Sequence, residues 1–254
     1  MCVELFSLRD KVALVTGAGK GLGKSMALAL SESGAHVAVA SRTRSDIETT
    51  AHEIQENGVK SIPIVADVTR QEDVSMMVEK VLTELKTIDI LVNNAGTFLG
   101  GPFLESSVED WHRMLEVNLT SAYLCSKAAG RHMVERQQGK IINVSSVLGL
   151  FGAGSSAAYC ASKGGVVQLT RALAMEWAKY HVTVNALAPY TMETELTKSL
   201  LEDEKVKNVI LSRIPLKRIG KPADLSGAVV FLASKASDYI TGQVLCVDGG
   251  FSAH

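Results

Sequence analysis

The sequence predicts an α/β fold built on an open parallel sheet, and three observations carry that expectation. A chain of 254 residues, 46% hydrophobic and 5% aromatic, is long enough to bury one sizeable core. Short β-branched apolar runs alternate with segments of helical period along its length. A glycine-rich turn lies directly between the first such run and the first helical segment, where a helix start offers free amides to an anion.

Taken in order, Lys11-Val-Ala-Leu-Val15 reads as the first buried strand, Thr16-Gly-Ala-Gly-Lys-Gly-Leu-Gly23 as the turn, and residues 24–33 as a helix. Gly17, Gly21 and Gly23 permit tight turning and close approach of a pyrophosphate, with Lys20 and Leu22 in the same turn. The spacing is Gly-x-x-x-Gly-x-Gly rather than the commoner Gly-x-Gly-x-x-Gly. The second strand, His36-Val-Ala-Val-Ala-Ser41, runs straight into Arg42. A site for NAD(H) offers an acid to the adenosine ribose at this point. Ser41-Arg42 offers instead a guanidinium suited to a 2′-phosphate, with Lys20 as a second positive charge, so the motif favours NADP(H) over NAD(H).

A helix over 46–57 ends at Gly58, and Ile62-Pro-Ile-Val65 makes a third strand whose exit is Asp67-Val68. Asp67 either accepts from an adenine amino group, with Val68 flanking the ring, or caps the helix that begins near Gln71. Thr87-Ile-Asp-Ile-Leu-Val92 is the fourth strand, and the small and amide residues of Asn93-Asn94-Ala-Gly96 suit a close backbone approach at its end. Asn118 falls inside a long helical pattern, where asparagine is mildly unfavourable.

Ile141-Ile-Asn-Val144 is a fifth buried strand, so Ser145 or Ser146 sits at its carboxyl end, the edge at which open α/β sheets bind ligands. Tyr159 and Lys163 follow, one helical turn apart and on one face, so that an ammonium stands beside a phenol and favours its ionised form. Bringing a tyrosine from about 10 toward neutral pH requires roughly 3–4 kcal/mol of differential stabilisation. A proton donor or acceptor works best with a pKa near the operating pH. Val182-Thr-Val-Asn-Ala-Leu187 is a further strand, and a helix after Lys221-Pro-Ala-Asp224 and the run Gly242-Gln-Val-Leu-Cys-Val-Asp-Gly-Gly250 complete the chain.

Thr16-Gly-x-x-x-Gly-x-Gly23, Asp67-Val68, Asn93-Asn-Ala-Gly96, Ser146 and Tyr159-x-x-x-Lys163, in this order over nearly the whole chain, resemble the classical branch of the short-chain dehydrogenase/reductase family. The resemblance implies a doubly wound Rossmann-type parallel sheet of about seven strands, helices on both faces, in one domain over residues 1–254. It implies a catalytic tetrad of Asn118, Ser146, Tyr159 and Lys163, Ser146 being preferred to Ser145 because it precedes Tyr159 by the family's thirteen residues. In the family Ser146 orients the substrate oxygen and Tyr159 exchanges a proton with it. Lys163 lowers the Tyr159 pKa and holds the nicotinamide ribose, and Asn118 holds a water that links Lys163 to solvent. Cofactor contacts are implied at Gly17, Lys20, Gly21, Leu22, Gly23, Ser41, Arg42, Asp67, Val68, Asn94, Tyr159, Lys163 and Thr194, the last toward the nicotinamide carboxamide. This chain has Pro189-Tyr190 where the family commonly has Pro-Gly, and tyrosine resists backbone angles that glycine permits. Residues 190–213 resemble a substrate lid, though their alternating charges also fit a solvated amphipathic helix. The family often forms homotetramers through its long helices and carboxyl end.

The activity so implied is reversible hydride transfer between NADP(H) and a secondary alcohol/ketone pair of sugar, polyol or small-ketone type. A 3-oxoacyl-[acyl-carrier-protein] reductase is the alternative, for which Arg131, Arg136 and Lys179 are the cations available near a site mouth. A noncatalytic NADP(H)-responsive regulatory protein is the alternative of a different class. Phe98, Leu99, Leu148, Leu150, Phe151 and Met192 either line an apolar pocket or support the core. A net charge of −1 with scattered basic residues offers no footprint for nucleic acid. No run is long enough to span a membrane, and the first residues, with Glu4, Arg9 and Asp10, do not read as a signal peptide. Cys2, Cys125, Cys160 and Cys246 lack metal-ligand spacing and are expected to be reduced thiols in a cytoplasmic protein; the six histidines form no ligand motif, so no metal is expected.

Overall fold

In a computed structural model, which describes residues 2–253, one helical turn, α1 (Cys2–Leu5), precedes β1 (Val12–Thr16), whose successive side chains alternate between two cores. Ala13 and Val15 face α2 (Gly21–Glu32) and α3 (Arg44–Glu56), together with Val37 and Val39 of β2 (His36–Ser41). Val12 and Leu14 face the opposite cluster with Ala38, Ala40 and the apolar stripe of α4 (Gln71–Leu85). A strand buried on both faces in this way belongs at the centre of a parallel sheet.

β3 (Ser61–Val65), β4 (Ile90–Asn93), β5 (Gly139–Val144), β6 (Val182–Pro189) and β7 (Val244–Val247) complete seven strands in the order β3-β2-β1-β4-β5-β6-β7, every pairing parallel. The later half places α6 (Ser121–Glu135) and α7 (Ala157–Trp177) on the α4 face and α10 (Ser226–Ala233) on the α2 face. The sheet is therefore doubly wound. The strand order reverses between β1 and β4, and the crevice at their carboxyl ends is where such a sheet binds its ligand.

Differences from the sequence reading have local causes. Helix α2 starts at Gly21, three residues early, because the glycine turn itself enters the first helical turn. Strand β4 starts at Ile90, three residues late: the Asp89 carboxylate accepts from the Val12 amide at 3.0 Å and faces Arg136 and Lys11 at 3.2 and 3.9 Å. Arg136 also donates to Thr87, which fixes this arginine at the amino-terminal edge of the sheet, away from the site mouth where the carrier-protein reading needs it. Asp67 does not cap α4; its Oδ1 accepts from the Thr69 amide and hydroxyl at 3.0 and 2.7 Å, closing a local turn, and Arg70 occupies the cap position without a side-chain capping hydrogen bond. Met192, 4% exposed, packs in the core of the α2 face and also lines the cleft at the carboxyl edge of the sheet, whereas Leu99, Leu150 and Phe151 are exposed.

Asn118 interrupts its helix. Between α5 (Val108–Leu115) and α6 lies one π turn, Glu116–Thr120, and π turns cluster at functional sites. Residues 190–213 fold as a helical hairpin, α8 (Lys198–Glu202) and α9 (Glu204–Ser212), whose own small core gathers Ile210, Ile214 and Ile219. Its base is clasped where the Gly220 amide donates to the Thr191 carbonyl at 3.1 Å and the Glu193 amide to the Gly220 carbonyl at 2.8 Å. No described helix is long and apolar enough to cross a membrane. The Cys2 side chain and residues Met1 and His254 lie outside what the structure describes.

Candidate active site

The glycine turn is held open from behind by the end of β4. Thr16 Oγ1 accepts from the Asn94 and Ala95 amides at 3.0 and 3.1 Å, and Asn94 Nδ2 donates to the carbonyls of Thr16 and Gly17 at 3.0 and 3.1 Å. Gly17 and Gly21 have φ of +62° and +58°, the left-handed region that side chains resist. Gly23 is required for space: a Cβ there would stand 2.2 Å from the Gly17 carbonyl oxygen and 2.4 Å from Asn94 Nδ2. Gly23→Ala should therefore lower stability by about 1–3 kcal/mol through overpacking and displace the turn. Urea unfolding and NADPH titration would both register it, and wild-type values in both would refute the packing argument.

A cleft of about 530 Å³ runs from this turn along the carboxyl edge of the sheet to Tyr190. Of the residues expected at the site, Gly17, Lys20, Gly21, Leu22, Ser41, Arg42, Asp67, Val68, Asn94, Ser146, Tyr159, Lys163 and Thr194 line it. Gly23 and Asn118 stand behind its wall. Arg42 is exposed and, among the described residues, makes no ion pair within 4 Å; desolvation raises the Asp67 carboxyl, but the Thr69 hydrogen bonds, helped by the Arg42 and Arg70 charges, hold it below its ordinary value. A turn kept open by its glycines, followed by a guanidinium without an ion pair at the end of β2, fits a dinucleotide bearing a 2′-phosphate. Sequence reasoning missed Asp46 and Glu195, which also line the cleft. Asp46 lies four residues past Arg42 in the first turn of α3, a helix-start signal that conceals its place beside Gly19.

At the far end, the two serines diverge as their places on an extended segment require. Ser145 Oγ donates to the Lys163 carbonyl at 2.9 Å, against α7, whereas Ser146 Oγ faces the cleft, accepting from the Leu148 amide at 3.1 Å and donating to the Pro189 carbonyl at 3.4 Å. Lys163 is 5% exposed, its Nζ donates to the Val144 carbonyl at 2.8 Å, and it lies 5.9 Å from the centroid of the Tyr159 ring. Burial brings its pKa down to about 8. The Tyr159 phenol is not lowered in this structure. Desolvation raises it above its ordinary value, and only the neighbouring Ser146 hydroxyl draws it back. The expected lowering fails because the lysine ammonium is turned to a backbone carbonyl and is itself desolvated.

Asn118 is 2% exposed and its amide is fully engaged: Oδ1 accepts from the Thr97 amide at 2.8 Å, and Nδ2 donates to the Thr97 carbonyl and Ser162 Oγ, both at 3.0 Å. It ties the loop after β4 to the face of α7 beside Lys163. Thr194 Oγ1 contacts Thr197 Oγ1 at 3.2 Å, and its methyl is turned toward Gly21, so the hairpin's first residues lean over the phosphate turn. Tyr190, in the family's glycine position, stacks on Phe251 with ring centroids 4.1 Å apart.

Fold and cleft together define an oxidoreductase that works on alcohol and carbonyl groups with a nicotinamide dinucleotide. A family model described as Enoyl-(Acyl carrier protein) reductase matches residues 17–252. The chain is 39% identical over 255 residues to a 2-dehydro-3-deoxy-D-gluconate 5-dehydrogenase of Formosa agariphila, covering 100% of this chain and 97% of the relative. It is 39% identical over 247 residues to the 5-keto-D-gluconate 5-reductase of Escherichia coli K12, covering 97% of each. A solved gluconate 5-dehydrogenase from Burkholderia cenocepacia J2315, in complex with NADP and tartrate, superposes with a TM-score of 0.97 at 36% identity over 100% of both chains. The chain belongs to the short-chain dehydrogenase/reductase family, in its classical branch.

Proposed function

We propose that this protein catalyses reversible hydride transfer between NADP(H) and a secondary alcohol/ketone pair of sugar, polyol or small-ketone type, with Tyr159 as the proton donor and acceptor. The observation that carries this reading is the convergence of Ser146, Tyr159 and Lys163 in the same cleft as the glycine turn and Arg42. The relatives' names and the NADP bound to the Burkholderia structure support both the reaction class and the cofactor.

The dinucleotide, when bound, supplies or accepts the hydride. Gly17, Lys20, Gly21, Leu22 and Gly23 would cradle its pyrophosphate, Ser41 and Arg42 its 2′-phosphate, and Asp67, Val68 and Asn94 the adenosine side. Ser146 donates a hydrogen bond to the carbonyl oxygen and so fixes it beside the Tyr159 hydroxyl. Tyr159 gives its proton to that oxygen during reduction and takes it back during alcohol oxidation. Lys163, with a pKa near 8, is a proton reserve one turn away. Asn118 positions α7 through Ser162, and Thr194 belongs to the hairpin arm that we read as the lid over the nicotinamide end. Scattered cysteines, of which Cys125, Cys160 and Cys246 are unpaired, support a cytoplasmic location, and family resemblance supports a homotetramer.

The reading is tested by following NADPH and NADH oxidation with ketones, keto sugars and 3-oxoacyl thioesters; Tyr159-dependent turnover is expected with NADPH preferred, and activity confined to acyl thioesters would replace it with the carrier-protein alternative. Arg42→Asp should weaken NADPH binding by roughly one to two powers of ten, the loss of a charge-assisted bidentate contact, while sparing NADH. An unchanged ratio of the two dissociation constants would remove Arg42 from the cofactor assignment.

A further inference from the structure

The free cations of the cleft are confined to its phosphate end, and its substrate end has none among the described residues. Resting on the function proposed above, we infer that the substrate is an uncharged ketone or secondary alcohol presenting an apolar face, and that a carboxylated substrate is disfavoured. Among the described residues lining the cleft, the cations are Lys20, Arg42 and Lys163. Lys20 stands at the start of α2 and Arg42 at the end of β2, both at the phosphate end. Lys163 is buried and already donates to the Val144 carbonyl. The charged residue of the hairpin arm that lines the cleft is an acid, Glu195. A carboxylate taken out of water stays ionised only against a cation or several donors, and this end offers it no free cation.

Aromatic rings take the place of charge there. The Phe98 ring meets Tyr159 edge-on at 5.1 Å and 81°. On the Ser146 side, the Ser146 hydroxyl is bonded to the carbonyl of Pro189, and the next residue, Tyr190, lines the cleft. Tyr190 stacks on Phe251 at 4.1 Å and 20°, and Phe251 meets Phe151 edge-on at 6.0 Å and 82°. The stack joins the end of β6, the loop that carries Ser146, and the carboxyl-terminal turn.

That wall is braced from behind. The Leu216 amide donates to the Gly249 carbonyl at 3.1 Å, and Gly249 and Gly250 pass so close to Ile214 and Pro215 that a Cβ on either would stand 2.7 and 3.0 Å from them. Asp248 accepts from the amides of Gly250 and Ser252 at 2.9 and 2.8 Å, which closes the turn. Tyr190 packs also on the Ile210, Ile214 and Ile219 cluster of the hairpin. A ring held from both sides loses little freedom on binding, and its face attracts C–H groups by dispersion. Tyr190, where the family commonly has glycine, completes a preformed apolar wall. The sugar acids named for the relatives above each carry the carboxylate that this end does not accommodate.

The test compares 4-methylcyclohexanone with 4-oxocyclohexanecarboxylate, one ring and one reacting carbonyl differing in charge, using the full-length protein and NADPH at neutral pH. The neutral ketone should have a kcat/KM at least about tenfold higher. Tyr190→Gly should narrow that ratio, mainly by raising KM for the neutral ketone, while NADPH binding stays as in the wild type. Equal or greater turnover of the carboxylate overturns the inference and leaves the oxidoreductase reading standing. An unchanged ratio in Tyr190→Gly with normal NADPH binding overturns the role given to the ring, and Tyr159-dependent turnover of neither compound overturns the inference and the reading together.

Discussion

Tyr159→Phe is expected to lower kcat by roughly 10²–10⁴-fold, the range that a positioned proton donor contributes, and to leave NADPH affinity nearly unchanged. The substitution deletes one oxygen. The phenyl ring keeps its place against Phe98 at 5.1 Å, and the glycine turn and Arg42 lie at the other end of the cleft, so packing is kept and, of the implied cofactor contacts, only the phenol's is lost. The pH dependence follows from the direction of the shift. Because burial raises the Tyr159 pKa, the phenol stays protonated through neutral pH. Ketone reduction, which needs the proton on Tyr159, should be flat there and fall only at alkaline pH. Alcohol oxidation, which needs the phenolate, should climb with pH over the same alkaline range. Stopped-flow traces in both directions would measure the profiles; a reduction limb that fell already through neutral pH would show that the bound cofactor brings the phenol well below its value in this structure.

How far the site could be read from sequence depended on whether a residue acts through spacing or through neighbours. Val12, Ala13, Leu14 and Val15 form a continuous apolar run in the chain itself, so a buried first strand was legible, whereas the division of its side chains between two cores shows only in the fold. The four-residue separation of Tyr159 and Lys163 and the opposite facings of Ser145 and Ser146 are also local geometry, and the structure places them accordingly. Lys163's orientation was not legible, because it depends on the Val144 carbonyl nineteen residues away. The same holds for Arg136, which a charge count places with other basic residues and which Asp89, 47 residues distant, draws to the opposite edge of the sheet. The resemblance to the family supplied the sheet size and the four residues proposed as the tetrad. It marked Tyr190 as a departure from the family's glycine but could not place its ring, which stacks on Phe251 at the far end of the chain.

Lys163→Met is expected to abolish most activity and yet make the cofactor-free protein more stable at pH 7. In the unfolded chain this lysine loses its proton near 10.5, in the folded protein near 8. Below about pH 8 both states hold the proton, and the folded state bears the full cost of a desolvated ammonium, on the order of 3 kcal/mol for a difference of this size. Between about 8 and 10.5 the unfolded chain binds the extra proton, so wild-type stability gains with rising pH through that window and the cost fades. Methionine removes the charge and retains an unbranched apolar stem, while the Val144 carbonyl loses its donor at a cost of about 1 kcal/mol. The variant should thus be more stable by about 1–2 kcal/mol at pH 7, with the advantage gone or reversed near pH 10. Urea unfolding of both proteins at the two pH values measures this directly. A variant less stable at pH 7, with a deficit independent of pH, would mean that the buried ammonium is already compensated by its surroundings. The expected result would identify Lys163 as a group held in the fold at a cost in stability because the chemistry at Tyr159 requires it.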